Sequence, residues 1–170
     1  MDTFDGLYAR KKKMLKAMKD SRVGSFGVLA ILVITLLQLG SFLKIGSKII
    51  YTLPLILFWG RFSTLFHINN FQYLSYKKNT ISHKKYWRGL KEESKISLQI
   101  IVFFVLPYLI FFVFQKEFIK LLIIFIASLL CSYITPTFLG KKVGGFNGDT
   151  CGASVVITET MILFIHAIVL

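Results

Sequence analysis

Residues 23–43 read VGSFGVLAILVITLLQLGSFL and contain no charged side chain. A helix needs about 20 predominantly apolar residues to cross the hydrocarbon core of a membrane. Small residues recur at every third position at the start of this stretch, at Ser21, Gly24, Gly27 and Ala30. Such a row of small side chains allows another segment to pack closely on the helix. The stretch therefore predicts a transmembrane helix.

Four more apolar runs follow this one along the chain, over residues 49–66, 96–114, 121–139 and 153–170. Of the 170 residues, 55% are hydrophobic and only 17% are charged, and the mean hydropathy is +0.66. This composition is too apolar for an ordinary soluble domain. We predict an all-α fold, a polytopic integral membrane helical bundle with about five transmembrane helices in one domain, residues 1–170.

The basic residues flank the apolar runs and give the chain a net charge of +13. Seven Lys or Arg precede residue 23, seven lie in the loop 67–95 and two in the loop 140–152, whereas the other two loops hold two each. Because cytoplasmic segments carry the excess of basic residues, we expect residues 1–22 and both of these loops to be cytoplasmic. The position of these basic residues beside membrane-spanning runs accounts for the net charge, so no nucleic-acid partner is predicted.

Residues 7–22 combine apolar and basic positions. Leu7, Met14, Leu15 and Met18 can face lipid, while six basic residues can face water or anionic headgroups. This pattern predicts an interfacial helix that lies on the membrane surface ahead of the first span.

Two carboxylates stand at the start of the chain. Asp2 and Asp5 are three residues apart, which places them on one face of a helix. Mg²⁺ in proteins is commonly held by one or two carboxylates together with water and substrate phosphate. Gly6 follows directly and allows a phosphate to approach the backbone. The alternative is a solvated turn in which the acidic residues have no joint role.

A second candidate site lies in residues 144–159, which begin with four glycines in nine positions. Glycines allow close approach of a ligand to the backbone, and the helix that follows offers its N-terminal amides to phosphate. Asp149 is a further candidate metal ligand, and Glu159 lies about 10 Å deeper on the same helix, where a carboxylate usually marks function. The alternative is a helix-capping loop with Glu159 paired to Arg61. Arg61 either contacts phosphate or extends to the headgroups.

Three motifs together resemble the cobalamin synthase family, the membrane-bound adenosylcobinamide-GDP ribazoletransferases. They are DTFDG at residues 2–6, MKDSRVGSFG at residues 18–27 and GGFNGDTCGA at residues 144–153. Gly60-Arg61 belongs to the same similarity, which extends over essentially the whole chain. The chain departs from the family pattern at three positions: Asn147 stands for a common Thr, Cys151 for a common Leu and Val156 for a frequent Glu.

The resemblance implies a reaction in which α-ribazole, or its 5′-phosphate, attacks adenosylcobinamide-GDP and releases GMP. It implies an enzyme of the bacterial cytoplasmic membrane that uses Mg²⁺ and has these two small-molecule substrates; the oligomeric state stays open. The implied metal ligands are Asp2, Asp5 and Asp149, and the implied catalytic residues are Asp5, Asp20 and Asp149. The implied phosphate-binding residues are Gly6, Lys19, Arg22, Arg61, Gly144, Gly145, Gly148 and Glu159.

The family pattern continues upstream of the position of Met1, with another Asp-Gly and further apolar spans. The resemblance therefore predicts that the 170-residue chain lacks an N-terminal part. On this expectation the chain inserts into the membrane without completing the reaction, and an in-frame upstream extension restores it.

Two other functional classes compete with this interpretation. The pattern Asp2-x-x-Asp5-Gly6-x-x-Ala9-Arg10 matches the front half of the CDP-alcohol phosphatidyltransferase signature. Its back half requires a Gly and two further Asp, and Lys19, Val23 and Gly27 occupy those positions instead. The second alternative is an inactive remnant or a non-enzymatic membrane protein.

Overall fold

The computed structural model describes residues 1–10, 13–20, 22–74 and 118–170. The helices within these ranges are α1 (Asp2–Tyr8), α2 (Met14–Met18), α3 (Ser25–Ile45), α4 (Ile49–Asn70), α5 (Phe118–Val143) and α6 (Gly148–Val169). A 3-10 turn, Gly46–Lys48, joins α3 to α4. The all-α prediction is confirmed. The predicted span 96–114 and most of the predicted loop 67–95 lie outside the described residues.

Three helical segments of the described chain are long and apolar enough to cross a membrane. They are Ser25–Asn70, which contains both α3 and α4, Ile119–Val143 and Gly148–Val169. The chain is therefore a multi-pass membrane protein, although the predicted number of about five spans is not confirmed. The outer surface of α3 fits this environment, because it exposes a row of leucines at Leu29, Leu32, Leu36, Leu39 and Leu43.

Helix α6 lies at the centre of the bundle and contacts the other three long helices. It runs parallel to α3, since Gln38 Nε2 donates to Thr160 Oγ1 at 2.8 Å near mid-helix and Lys48 Nζ donates to the Leu170 carbonyl at 3.1 Å. The chain then reverses at Gly46, whose φ of +58° is unfavourable for residues with a side chain. Helix α4 returns antiparallel to α6.

The core forms where α4, α5 and α6 meet. Trp59, Ile124 and Ile162 contribute one fully buried side chain from each of these helices. Small polar residues allow the helices to approach closely and bond across the interface. The hydroxyls of Ser63 and Ser154 lie 3.1 Å apart, and Ser132 Oγ donates to the Trp59 carbonyl at 3.1 Å. This packing fixes the position of α6, whose N-terminal end belongs to the candidate site.

The N-terminal segment differs from the predicted interfacial helix over residues 7–22. It forms two short helices, because α1 ends at Tyr8 and the following Ala9 is extended. Met14 and Met18 are only 5% and 2% exposed, so the prediction that they face lipid is wrong. They pack under α1, where the missing side chain of Gly6 leaves room for Met18.

Asp5 attaches α1 to the start of α3. Its carboxylate oxygens accept hydrogen bonds from the amides of Gly24 and Gly27, at 2.9 and 2.8 Å. The first amides of a helix have no partner within the helix, and a negative charge at this end interacts favourably with the helix dipole. The N-cap residue, Gly24, has no side chain to supply this acceptor, so Asp5 supplies it from another helix.

We predict that Gly27→Ala lowers the stability of the protein by about 1–3 kcal/mol, the range for disrupting hydrogen bonds to a charged group. A Cβ at residue 27 would meet the Asp5 carboxylate. Gly40 lies on the same helix, and a Cβ there meets nothing within 4 Å. Gly40→Ala is the matched control and should leave stability unchanged or raise it by up to about 1 kcal/mol. Thermal unfolding in detergent measures both variants, and equal melting temperatures would contradict the capping role of Asp5.

Candidate active site

The connection between α5 and α6 is shorter than the predicted loop 140–152. Helix α5 continues through Val143 and α6 begins at Gly148, which leaves four residues between them. Gly144 has a φ of +85° that turns the chain out of α5. Phe146 then pairs with the segment after α4, because its amide donates to the Gln72 carbonyl at 2.9 Å and its carbonyl accepts from the Leu74 amide at 2.8 Å. The glycine-rich turn is therefore held in a fixed position.

Asn147 begins α6 with a reciprocal capping arrangement. The Thr150 amide donates to Asn147 Oδ1 at 2.8 Å, and the Asn147 amide donates to Thr150 Oγ1 at 2.9 Å. Both residues are buried. This capping box defines where the helix begins, and it places Asp149 in the exposed first turn.

The two sequence motifs come together at this end of the bundle. Thr3 Oγ1 donates to the backbone carbonyl of Asp149 at 3.0 Å, across 146 positions of sequence. The expectation that the N-terminal motif and the glycine-rich turn lie at the same end is confirmed. This bond joins α1 to the first turn of α6.

A cavity of about 460 Å³ lies between α1, α3 and α6. Asp2 and Asp149 line it at the α1 end, and both residues are exposed. Its walls are mainly apolar, and Thr35 and Gln38 line it further along α3. The α3 lining extends from Ala30 to Gln38, eight residue steps further along the chain, which is about 12 Å along a helix axis. The cavity combines an acidic end with an apolar interior.

Of the three metal ligands that the resemblance implies, Asp2 and Asp149 line the cavity. Among the described residues, no three His, Cys, Asp or Glu side chains are grouped to hold a metal ion. Asp5 is not part of the cavity lining, and both of its oxygens accept backbone amides. Two carboxylates with water and phosphate are nevertheless a common Mg²⁺ environment. In the part of the chain that the structure describes, Asp2 and Asp149 are the carboxylates that could hold such an ion at the cavity.

Asp20 and Arg22 bind each other instead of lining the cavity. Arg22 Nε and a terminal guanidinium nitrogen donate to the two Asp20 oxygens at 3.2 and 3.1 Å. The Arg22 side chain is 88% exposed. These hydrogen bonds from Arg22 lower the pKa of the Asp20 carboxyl below its usual value. Neither residue, nor the neighbouring Lys19, belongs to the cavity lining.

The glycines predicted to bind phosphate fall into two groups. Gly6 and Gly145 are buried against protein atoms, since a Cβ on Gly6 would meet Met18 and a Cβ on Gly145 would lie 2.5 Å from the Gln72 carbonyl. Gly144 and Gly148 are exposed, and a Cβ there meets nothing within 4 Å. The first pair serves packing, and the second pair leaves backbone open to a ligand.

Glu159 lies between α6 and α4, where it covers Gly60. A Cβ on Gly60 would meet the Glu159 side chain, so this glycine makes room for the carboxylate. Glu159 Oε1 is buried and has no hydrogen-bond partner among the described residues, although the charge of the neighbouring Arg61 acts on the group. Neither residue is part of the cavity lining. The prediction that both bind phosphate stays a prediction.

Sequence reasoning did not identify Thr3, Thr35 and Gln38. Thr3 is 2% exposed and has its bonding partner at the other end of the chain. The sequence feature that could have identified Thr3 is its position between Asp2 and Asp5 in one short helix. A hydroxyl at that position can bond to a neighbouring helix. Thr35 and Gln38 are polar residues in the apolar run 23–43. Polar residues in a span usually face the protein interior, so their polarity was the sequence feature that could have identified them.

We predict that Asn147→Ala destabilises the start of α6 by about 1 kcal/mol, as is typical when an N-cap side chain is lost. Asn147→Ser is the matched control, because a serine hydroxyl can accept the Thr150 amide. Hydrogen exchange of the amides in residues 148–153, followed by mass spectrometry, reports the local change. Equal exchange in the alanine and serine variants would show that the side-chain cap does not hold this turn.

The chain is similar to known proteins along nearly all of its length. The family model described as cobalamin-5-phosphate synthase matches residues 1–167. A relative named adenosylcobinamide-GDP ribazoletransferase from Prochlorococcus marinus (strain SARG) is 36% identical over 171 residues, which cover 100% of this chain and 66% of the relative. A protein of the same name from P. marinus (strain MIT 9313) is 37% identical over 173 residues, with the same coverages.

The similarity extends to other organisms. A protein of the same name from Thermosynechococcus vestitus (strain NIES-2133 / IAM M-273 / BP-1) is 33% identical over 178 residues, which cover 96% of this chain and 62% of that relative. The chain thus spans about two thirds of the length of the curated relatives it matches. No solved structure matches it.

Proposed function

The chain belongs to the cobalamin-5-phosphate synthase family, and we propose that it carries the phosphoryl-transfer site of an adenosylcobinamide-GDP ribazoletransferase. The observation that carries this proposal is the cavity lined jointly by Asp2 and Asp149. These residues come from two of the three motifs that resemble the family, residues 2–6 and 144–153. The names of the relatives indicate the first substrate, and α-ribazole or its 5′-phosphate is the acceptor that those names imply.

The proposed reaction is a displacement at phosphorus. A ribose hydroxyl oxygen of α-ribazole forms a bond to the cobinamide-side phosphorus of the diphosphate. The bond from this phosphorus to the bridging oxygen breaks, and GMP leaves with the electron pair while the hydroxyl proton is released. Such reactions depend mainly on positioning and on neutralising charge. When bound, Mg²⁺ supplies positive charge for the diphosphate oxygens.

The residues of this chain divide that work between them. Asp2 and Asp149 would hold the ion at the acidic end of the cavity. Asp5 holds α1 on α3 and so determines where Asp2 stands. Gly144 and Gly148 leave open backbone beside the start of α6, where helix amides favour an anion. The apolar walls formed by α3 and α6 suit the less polar parts of a large amphiphilic substrate.

We also propose that the site faces the cytoplasm from the bacterial inner membrane. Helix α2 with the residue after it and the end of α5 carry basic residues at the same end of the bundle, including Lys16, Lys19, Lys141 and Lys142. An excess of Lys and Arg marks the cytoplasmic side. This orientation gives the site direct access to soluble nucleotides.

The first test of the function is synthesis of adenosylcobalamin, or its 5′-phosphate, and GMP from adenosylcobinamide-GDP and α-ribazole or its phosphate. Membranes are prepared with the chain expressed from Met1 and, separately, from any in-frame codons upstream. We expect product that depends on Mg²⁺ from at least one of the two. Absence of product from both preparations would contradict the proposal.

In the active preparation, we predict that Asp2→Asn and Asp149→Asn each lower turnover by about 100-fold or more, the scale of losing one electrostatic contact to a transition state. Asp20→Asn makes the same chemical change outside the cavity. It should change turnover by no more than about fivefold, because its exposed ion pair contributes little. If Asp20→Asn lowered turnover as much as the other two variants, the assignment of Asp2 and Asp149 rather than Asp20 to the site would be contradicted.

Cysteine labelling tests the orientation. In a background without Cys131 and Cys151, we introduce Ser47→Cys at the turn between α3 and α4 and Lys142→Cys near the end of α5, both exposed. A membrane-impermeant maleimide added to spheroplasts should label residue 47, whereas residue 142 should react only after the membrane is opened. The reverse pattern would contradict a cytoplasmic site.

A further inference from the structure

We propose that Thr3 is a positioning residue that sets the spacing between Asp2 and Asp149. This inference rests on the proposed function, since it assigns a role within the same site. Thr3 lines the cavity beside Asp2, but it has no charged group, and it acts through the backbone of the residues that carry the two carboxylates. Its hydroxyl is the group that performs this role.

The geometry supports this role at both ends of the hydrogen bond. Thr3 Oγ1 donates to the backbone carbonyl of Asp149 at 3.0 Å, so the bond ends on the same residue whose carboxylate lines the cavity. Thr3 follows Asp2 directly in α1. One hydrogen bond therefore links the backbone positions of both carboxylates. Thr3 is 2% exposed, and burial protects the bond from competition by water.

The other contacts of α1 described above are with α3 and α2, so the Thr3 bond is the one that positions α1 relative to α6. Asp5 fixes α1 to the start of α3, and Gly6 fixes it to α2 by packing on Met18. Thr3 faces the remaining neighbour, α6. Three residues of one short helix thus contact three different elements. Thr3 is the one that bonds α1 to α6, the helix that carries Asp149.

Loss of the hydroxyl should affect metal binding more than folding. The Asp149 carbonyl lies in the first turn of α6, where it also accepts the ordinary helical hydrogen bond, so it is not left without a donor. Mg²⁺ requires nearly ideal octahedral geometry, and small errors in the spacing of two ligands weaken its binding. Replacing groups that orient metal ligands typically costs about 10-fold to 100-fold in affinity.

The first experiment measures Mn²⁺ binding to the purified full chain in detergent by electron paramagnetic resonance. Mn²⁺ replaces Mg²⁺ as the probe, and no turnover is needed. Thr3→Val keeps the shape without the hydroxyl and should weaken binding by about 10-fold to 100-fold. Thr3→Ser keeps the hydroxyl and should bind within about threefold of the wild type, well below that range. Wild-type affinity in Thr3→Val, or equal weakening in both variants, would overturn the proposal.

A second measurement distinguishes failure of this inference from failure of the metal site. Spin labels are attached at Arg10→Cys, just after α1, and at Met161→Cys on α6, in a background without Cys131 and Cys151. Double electron–electron resonance then reports the distance between α1 and α6. Thr3→Val should broaden or shift the distribution, and Thr3→Ser should restore it. An unchanged distribution in Thr3→Val would overturn the positioning role, whether or not the wild type binds Mn²⁺.

Discussion

The carboxylate of Asp5, bonded to the first amides of α3, is the interaction on which the arrangement of the site depends. Helix α1 has only seven residues and is too short to be stable in isolation. It is held by one charged contact to α3, one hydroxyl contact to α6 and the methionines beneath it. The motif at residues 2–6, which resembles a metal site in sequence, therefore also acts as a clamp that holds α1 against α3 and α6. This clamp leaves Asp2 at the cavity with Asp149.

Polar groups inside the bundle explain how α6 keeps its position in an apolar environment. Hydrophobic burial discriminates weakly between helix arrangements inside a membrane, so close packing and hydrogen bonds across interfaces contribute more. Ser63 with Ser154, Ser132 with the Trp59 carbonyl, and Gln38 with Thr160 supply such bonds. The first and the third of these bonds join α6 to α4 and to α3, and the second joins α5 to α4. The start of α6 can therefore present Asp149 and its open glycines at a defined place.

The sequence was sufficient for the long helices and insufficient for the details of the site. Apolar runs of membrane-spanning length predicted α3, α4, α5 and α6, because length and hydropathy determine such helices almost alone. The prediction of one continuous helix over residues 7–22 was wrong, because α1 ends at Tyr8 and α2 covers only Met14–Met18. No periodicity reveals that Gly6 makes room for Met18. The pairing of Asp20 with Arg22, two residues apart, was equally hidden among several candidate phosphate ligands. The Thr3 contact depends on tertiary structure across the whole chain, which a single sequence does not contain.

We propose that one cation binds between two carboxylates that lie far apart in the sequence, Asp2 and Asp149. The most direct measurement is anomalous X-ray scattering at the manganese edge from crystals of the protein grown with Mn²⁺ and a nucleoside diphosphate. We expect an anomalous peak within ligand distance of both the Asp2 and the Asp149 carboxylates. A peak bound by Asp20, or by Asp5 in place of the α3 amides, would contradict it.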